Sequence, residues 1–302
     1  MPASAEVTRV LDGRLLVDAH VHVARLPTLS ADWQNWVATF GGGIPIGQLY
    51  DADGVPLPAA LDQHFGAEGA DHVLLFTEHS PKSTGIQPIE DVLPLVRQNP
   101  DRFHAVANIN PHLHYPVKAE LARQVGLGAV ACKIHPVHGG FEPADRMLYP
   151  AYAFCEERGL PAIVHCGTST FAGSVNAFGE PALLDPVFRD FPDLTVVLAH
   201  GGRGWWYDQA AFLALMRPNI WLEVSGLPPA RLPDYYGGSL GRLAAKMVFG
   251  TDWPGVPGVQ RNARALEKVL LDAGASPEQV ALALGGNAQR IFRLTNNPAG
   301  TT

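Results

Sequence analysis

The chain has 302 residues, of which 47% are hydrophobic and 17% are charged, and its formal net charge is -7. This composition is that of an ordered globular protein and excludes the disordered and fibrous classes. The negative charge contains no long run of one sign, which argues against a broad nucleic-acid-binding surface and favours a small-molecule substrate.

The N-terminal residues and the cysteines indicate in which cellular compartment the protein is found. Residues 1–20 lack the basic start and apolar core of a signal peptide, and no stretch approaches the roughly 18 apolar residues of a membrane span. The three cysteines, Cys132, Cys155 and Cys166, are odd in number and widely spaced, as expected for reduced thiols. We therefore expect a cytoplasmic protein with neither a membrane nor a nucleic acid as partner.

Eight short apolar, β-branched runs predict eight strands. They cover 15–23, 72–78, 103–110, 129–136, 161–167, 194–202, 219–226 and 246–254. Most are nearly continuous in apolar character, which is typical of strands buried on both faces of a parallel sheet. From the second run onward, successive runs begin 25 to 33 residues apart, enough each time for one crossover helix.

The segments between these runs predict the fold class. They place apolar residues three and four positions apart, and several end in Gly or Pro, as helix termini do. A doubly wound open sheet is the competing architecture, but no GxGxxG turn follows the first run. We predict one α/β domain over residues 1–302, a (β/α)8 TIM barrel, with one or two closing helices in 276–294 and a frayed tail at 296–302.

A long insertion separates the first two predicted strands. It covers about residues 24–55, is rich in Gly and Pro, and contains Trp33, Trp36, Phe40 and Tyr50. In a barrel this loop emerges at the C-terminal face of the strands, where active sites lie. It is either a partial lid or substrate wall, or an insertion packed on the rim.

Two histidines in the first predicted strand favour metal binding. A strand has a side-chain period of two, so His20 and His22 point to the same side. A lone histidine in an apolar strand is more often a hydrogen-bonded core residue, but two imidazoles on an inward barrel face can share a metal.

Further polar residues fall at or near the ends of the later strands. Such positions are typical of catalytic residues in a barrel. They are Glu78, His79, Asn110, Lys133, His135, His165, His200, Glu223, Ser225 and Asp252. Catalytic zinc takes about three or four nitrogen or oxygen ligands and keeps a position open for water. His20, His22, His165 and Asp252 supply such a set, so we predict one divalent metal ion, zinc in the first place and Mn²⁺ or Fe²⁺ as alternatives.

Six motifs carry a family resemblance. They are DAHVH (18–22), KIHP (133–136), VHCG (164–167), LAHGG (198–202), FGTDWP (249–254) and GNAQRIF (286–292). In these motifs the chain resembles the amidohydrolase superfamily, and within it the branch that includes aminocarboxymuconate semialdehyde decarboxylase. The resemblance implies that His20, His22, His165 and Asp252 hold one metal, that His200 is the catalytic histidine and that Asp252 assists it. Dimers are common in that branch, which leaves a homodimer open.

Lys133 lies on the fourth predicted strand. Related branches hold two metals bridged by a modified lysine on that strand, whereas the branch that this chain resembles most has one metal and an unmodified lysine. We therefore expect one metal. Lys133 then either orients substrate or forms a structural ion pair, and His135 is a weaker candidate for substrate contact.

Arg203 and Trp205 are candidates for binding the substrate. Arg203 follows the LAHGG motif, and Trp205 and Trp206 come soon after it. A guanidinium beside aromatic faces suits a planar carboxylated substrate, because its fork matches a carboxylate. The alternative is an Arg at a helix start with both tryptophans on the barrel exterior. Strand alternation points Trp253 away from Asp252, and Asn287 is expected to cap the closing helix.

The metal site predicts an enzyme that uses an activated water, with His200 as proton acceptor. The favoured reaction is hydrolysis of a small-molecule amide, ester or lactone, and the alternative is non-oxidative decarboxylation of an unsaturated or aromatic carboxylic acid. By resemblance, some decarboxylases of the branch replace the first strand-one histidine with glutamate, so His20 favours hydrolysis. The semialdehyde decarboxylase keeps both histidines, however, and a planar-acid pocket around Arg203 would favour decarboxylation. A non-catalytic metal-binding barrel is the third option.

Overall fold

The computed structural model describes residues 13–40 and 43–295, so the predicted tail at 296–302 lies outside the described residues. Its strands agree with the eight predicted runs, apart from one short two-stranded hairpin that begins at Glu78, the last residue of the second run. The strands are β1 (Val17–Val21), β2 (His72–Leu75), β3 (Glu78–Ser80), β4 (Gly85–Gln87), β5 (Phe103–Ala105), β6 (Ala107–Ile109), β7 (Cys132–Ile134), β8 (Ala162–Gly167), β9 (Val196–Arg203), β10 (Ile220–Glu223) and β11 (Met247–Val248).

The strands form a closed barrel. Neighbouring strands pair in parallel in the orders β1-β2-β5 and β6-β7-β8-β9-β10-β11. Strands β5 and β6 are two halves of one barrel strand, separated at Val106. The first and last strands are joined by hydrogen bonds from Ala19 N to the Phe249 oxygen at 3.0 Å and from His22 N to the Trp253 oxygen at 2.8 Å. The predicted eight-stranded α/β barrel is confirmed.

Helices surround the strands. They are α1 (Ala31–Phe40), α2 (Ile46–Leu49), α3 (Pro58–Ala67), α4 (Leu93–Gln98), α5 (Val117–Gly126), α6 (Pro136–Gly139), α7 (Tyr149–Arg158), α8 (Asp185–Asp190), α9 (Tyr207–Met216), α10 (Leu232–Tyr236), α11 (Leu240–Leu243), α12 (Val259–Asp272), α13 (Pro277–Ala281) and α14 (Asn287–Phe292). Among the described residues, no helix combines the length and the apolar character that crossing a membrane requires.

The C-terminal segment forms the predicted closing helices. A capping box between Ser276 and Gln279 starts α13, and a short π-helical turn links α13 to α14. Asn287 does not cap α14, so that prediction is wrong. Its buried amide instead donates to the backbone oxygens of Met247, at 2.7 Å, and Ala245, at 3.2 Å, and ties α14 to β11.

A layer of apolar side chains fills the barrel. Each barrel strand contributes one early residue, and Ile291 and Phe292 of α14 pack against the layer. The strand residues are Val17, Leu74, Val106, Ala131, Ile163, Val197, Trp221 and Val248. Because this layer occupies the beginning of the strands, the polar residues that follow lie together toward their C-terminal ends.

Candidate metal centre

A cavity of about 360 Å³ opens among the predicted site residues. Its wall includes His22, His165, His200, Arg203 and Asp252, all of which were predicted from the sequence. The remaining lining residues are Trp33, Trp36, Glu78, Thr84, His135, His138, Thr168, Ser169, Thr170, Phe171, Gly226, Pro228, Gly255 and Val256. Five of the eight predicted site residues therefore line one concave pocket, whereas His20, Lys133 and Trp205 are not part of its wall.

The first group of metal-type ligands is His20, His22 and Asp252. The Nε2 atoms of His20 and His22 lie 3.2 Å apart. The Asp252 Oδ1 atom lies 3.5 Å from His22 Nε2 and 3.7 Å from His20 Nε2. Two ligand atoms bonded at about 2.0–2.1 Å to one tetrahedral zinc are about 3.3 Å apart. The spacing of these three atoms therefore fits a single divalent ion.

Glu223 orients His20 within this group. The Glu223 Oε2 atom lies 3.0 Å from His20 Nδ1, and both side chains are buried. Burial raises the pKa of Glu223 to about 7. In its ionised form the carboxylate only accepts, so Nδ1 carries the proton and the Nε2 lone pair is directed toward His22. Ser225 supports the carboxylate, donating its backbone N–H to Oε1 at 2.5 Å and its hydroxyl to Oε2 at 2.8 Å. This is the arrangement by which carboxylates orient ligating histidines.

The backbone is strained at two predicted catalytic residues. His200 has a φ of 63° and Asp252 a φ of 67°, in the left-handed region that non-glycine residues rarely adopt. Among the described non-glycine residues, only Arg293 shares this property. Strain of this kind costs about 1–3 kcal/mol per residue and concentrates at functional sites. The backbone thus supports a functional role for both side chains.

His200 is held as a proton acceptor. Its Nδ1 lies 3.1 Å from the backbone oxygen of Ser225, which only accepts, so Nδ1 is protonated and Nε2 has a lone pair. Burial, reinforced by the positive charge of Arg203, lowers the pKa of His200 well below its usual value. Burial opposes ionisation of Asp252, but the neighbouring His22 and the positive guanidinium of Arg203 hold its pKa well below the ordinary range. The site therefore combines a neutral imidazole with an ionised carboxylate.

A second histidine group consists of His135, His138 and His165. The His165 ring centroid lies 4.5 Å from that of His135 and 4.5 Å from that of His200. The structure thus brings His165 next to His200, but groups it with His135 and His138 rather than with His20, His22 and Asp252. Its assignment as fourth ligand of the first group stays a prediction.

His138 and Glu78 are cavity residues to which the sequence assigned no role. His138 sits in α6, three residues after His135, and a spacing of three within a helical turn is the signal that could have identified it. Glu78 begins β3, and its strand-end position was visible, but nothing in the sequence indicated a partner. In the structure its Oε2 atom faces His135 and His138 at 3.7 and 3.8 Å.

The three predicted substrate contacts have different positions. Arg203 lines the cavity, and its guanidinium donates to the Thr168 backbone oxygen at 3.1 and 3.2 Å. Trp205 is 67% exposed and packs on Trp206, so the structure does not bring it to the cavity wall described above. Lys133 is fully buried, with its Nζ 4.7 Å from the centre of the Phe76 ring.

Lys133 forms no direct ion pair with the residues that the structure describes, and its role in orienting substrate stays a prediction. Among the described residues its Nζ has no hydrogen-bond partner. Burial lowers the pKa of Lys133 to about 8, against the opposing pull of Glu223 and Glu78. The ammonium group therefore interacts with the carboxylates of the site across space and without direct pairing.

The long insertion forms part of the cavity wall. Trp33 and Trp36 of α1 line the pocket, and the ring centroids of Trp36 and Phe171 are 5.7 Å apart. Asp32 accepts a hydrogen bond from Ala172 N at 3.2 Å, which joins α1 to the loop after β8. The observed position favours the wall interpretation over an insertion packed only on the rim.

Comparisons with known proteins identify a matching family and similar solved structures. The sequence pattern of the family described as Amidohydrolase matches residues 17–294. No functionally curated protein matches the chain. An uncharacterized TIM-barrel protein from Bordetella bronchiseptica is 24% identical, with a TM-score of 0.72 and coverage of 92% of this chain and 98% of that chain.

Two enzymes of known activity share the fold. The 5-carboxyvanillate decarboxylase of Sphingomonas paucimobilis is 18% identical, covers 93% of this chain and 99% of its own, and has a TM-score of 0.61. The 4-oxalomesaconate hydratase of Rhodopseudomonas palustris is 17% identical, covers 93% of this chain and 96% of its own, and has a TM-score of 0.58. At these identities the likeness establishes the barrel architecture only.

Proposed function

This chain belongs to the amidohydrolase family, which it matches from residue 17 to residue 294, and from that premise we propose that it is a metal-dependent hydrolase of a small-molecule amide, ester or lactone. One observation carries the proposal. His20, His22 and Asp252 present three ligand atoms at the spacing of one metal ion, beside an open cavity that His200 also lines.

The donor set fits a divalent metal. Two imidazoles and one carboxylate suit zinc, and they also suit Mn²⁺ or Fe²⁺. His20, His22 and Asp252 would hold the ion, with His165 as the proposed fourth ligand. When bound, the metal would polarise a substrate carbonyl and make water more acidic.

The proton-transfer groups favour hydrolysis. Hydrolysis requires an acceptor for a proton of the attacking water. The hydrogen bond to Ser225 leaves the Nε2 lone pair of His200 available, and Asp252 is ionised nearby. His200 therefore acts as the general base, and Asp252 assists it.

The cavity supports a carboxylated or cyclic substrate. Arg203 directs Nη1 to within 3.6 Å of Asp252 Oδ2, so its positive charge lies next to the proposed metal ligands. Trp33 and Trp36 contribute flat apolar faces to the wall. A volume of about 360 Å³ falls within the range of small-molecule sites.

Decarboxylation is the second candidate, and the position of Arg203 favours it. A guanidinium on a wall shared with two indoles suits the carboxylate of a planar unsaturated or aromatic acid. Loss of CO₂ from such an acid needs a proton delivered to carbon. His200 would then have to be protonated at Nε2 before the reaction, which its low pKa disfavours.

The test begins with metal content. Elemental analysis of the purified protein is expected to find a stoichiometric divalent ion. Absence of the ion would refute the proposed metal-dependent function. A panel of lactones, amides and aromatic acids, assayed for product and for released CO₂ in parallel, then separates the two reactions.

His200→Asn tests the proposed base. The variant is expected to retain the metal and lose turnover, because asparagine cannot accept the proton of water. His112→Asn, at an exposed histidine, is the matched control and is expected to keep full activity. Loss of metal in His200→Asn would show that His200 is a ligand and not the base.

A further inference from the structure

A buried carboxylate lies at the seam between the first and last strands of the barrel. Asp18, in β1, is fully buried and does not line the cavity described above. Its Oδ1 atom accepts from Thr251 N at 2.9 Å and from His20 N at 3.3 Å, and its Oδ2 atom accepts from the Thr251 hydroxyl at 2.7 Å. One side chain thus bonds to the two segments that carry the first and the last of the proposed metal ligands, His20 and Asp252.

The bond to His20 lies where β1 departs from regular pairing. The register between β1 and β2 shifts between Asp18 and Val21. An irregularity of this kind re-aims the side chains of the strand. The hydrogen bond from His20 N to the Asp18 carboxylate lies within this segment, so it fixes the backbone from which the His20 imidazole projects.

The two bonds to Thr251 fix the residue before Asp252. The strained φ of 67° at Asp252 persists only where the surrounding structure over-determines it. Asp18 holds Thr251 at both its backbone N–H and its hydroxyl, and the same hydroxyl accepts from Trp253 N at 3.0 Å. Asp252 N in turn donates to the His20 oxygen at 3.0 Å. Together these bonds hold the turn in the conformation that brings Asp252 beside His20.

We infer that Asp18 is a positioning residue for the proposed metal centre. Through its bonds to Thr251, it keeps Asp252 at the distance from His20 that one divalent ion requires. Both Asp18 oxygens accept hydrogen bonds from the chain, so the side chain orients the neighbouring segments. The inference rests on the proposed function, because it assigns a role toward the same metal.

Thr251→Val tests this inference, because valine has the shape of threonine and lacks the hydroxyl. The full-length apoprotein, prepared with a chelator, is titrated with Zn²⁺ against a chromophoric competitor. Thr251→Val is expected to weaken the affinity by about 10–100-fold, the usual effect of losing an outer hydrogen bond. The visible absorption of the Co²⁺-loaded protein reports ligand geometry. We expect it to shift in the folded variant, whereas a residue that only stabilises the fold would leave it unchanged.

Three further variants complete the test. Thr251→Ser keeps the hydroxyl and is expected to retain the native affinity and the native Co²⁺ spectrum. Asp18→Asn is expected to lose affinity, because an NH₂ group replaces one of the two oxygens that accept from Thr251. Thr77→Val is the matched control. It also removes a buried hydroxyl, but one that donates to the Val106 oxygen at 2.9 Å, and it is expected to bind Zn²⁺ as the native protein does.

The outcomes separate the role of Asp18 from the proposed function. Native Zn²⁺ affinity in Thr251→Val, or a native Co²⁺ spectrum in that variant, overturns the inference and leaves the proposed function standing. An equal loss of affinity in Thr251→Ser or in Thr77→Val overturns it as well. A native protein that binds metal but hydrolyses no substrate of the panel removes the proposed function, and the affinities still decide the inference. Absence of bound metal in the native protein overturns both. If Asp18→Asn fails to fold, the two Thr251 variants decide the matter.

Discussion

Replacing Glu223 with glutamine tests whether a buried carboxylate prepares His20 for metal. The Oε2 atom of Glu223 meets three groups: His20 Nδ1 at 3.0 Å, the Ser225 hydroxyl at 2.8 Å and the backbone N–H of His200 at 3.4 Å. The other oxygen accepts from Ser225 N at 2.5 Å. Glutamine has the same shape but offers one oxygen and one NH₂ group.

Either orientation of the new amide breaks part of this arrangement. With its NH₂ toward His20, the imidazole must accept at Nδ1 and place its proton on Nε2, which removes the lone pair from the metal position. With its NH₂ toward Ser225 N, two donors face each other in a buried site. Loss of such an outer contact costs about 10–100-fold in metal affinity, equivalent to about 1.4–2.8 kcal/mol.

The assay is competition for Zn²⁺ between the apoprotein and a chromophoric chelator at neutral pH. Glu223→Gln is expected to weaken the affinity by about 10–100-fold, whereas the exposed Glu157→Gln keeps the native value. An affinity for Glu223→Gln within about twofold of the native protein, in a variant that melts normally, would show that Glu223 does not orient His20 as a ligand.

Three further predictions concern the wall and the fold. A Cβ at Gly255 would overlap the Trp36 indole. Gly255→Ala is therefore expected to raise KM and to shift tryptophan fluorescence, while the metal content stays constant. An unchanged KM would exclude Trp36 from the substrate wall. Burial, with the charge of His72, lowers the pKa of His104 to about 4. Below about pH 6.5 the unfolded chain therefore binds more protons at this residue than the folded protein does. The free energy of unfolding consequently falls as the pH drops from there toward 4. Denaturant unfolding over that window is expected to show a smaller decline for His104→Gln, and an identical decline would contradict the assignment. Asn287→Ala removes one buried and one partly buried hydrogen bond and is expected to lower the free energy of unfolding by about 1–3 kcal/mol. A loss under about 0.5 kcal/mol would show that this amide does not anchor α14.

The architecture and part of the site could be predicted from the sequence because both follow local periodicity. Apolar β-branched runs at regular spacing identify buried parallel strands, and eight of them close a barrel. The alternation of side chains along a strand places His20 and His22 on the same side of β1, and their Nε2 atoms lie 3.2 Å apart. Asp252 follows the last strand, and closure of the barrel brings it beside the first.

Positions that depend on turns and packing could not be predicted in this way. The side-chain alternation of β9 does not predict the course of the chain after the strand. Arg203, at the end of β9, lines the cavity, whereas Trp205, two residues later, is exposed to solvent. Asn287 bonds to a strand that is distant in the chain instead of capping its own helix. Local propensity carries no information on such contacts, because they form only when the layers pack.

The sequence by itself determined the barrel, the two strand-one histidines and a polar rim at the strand ends, since these require only hydrophobic pattern and side-chain alternation. The tertiary structure alone decided which rim residues meet. It placed His165 beside His135 and His138, and it brought Glu78 to the same wall through the β3 hairpin. The physical reason is that convergence of parallel strands sets distances between side chains that lie far apart in the chain.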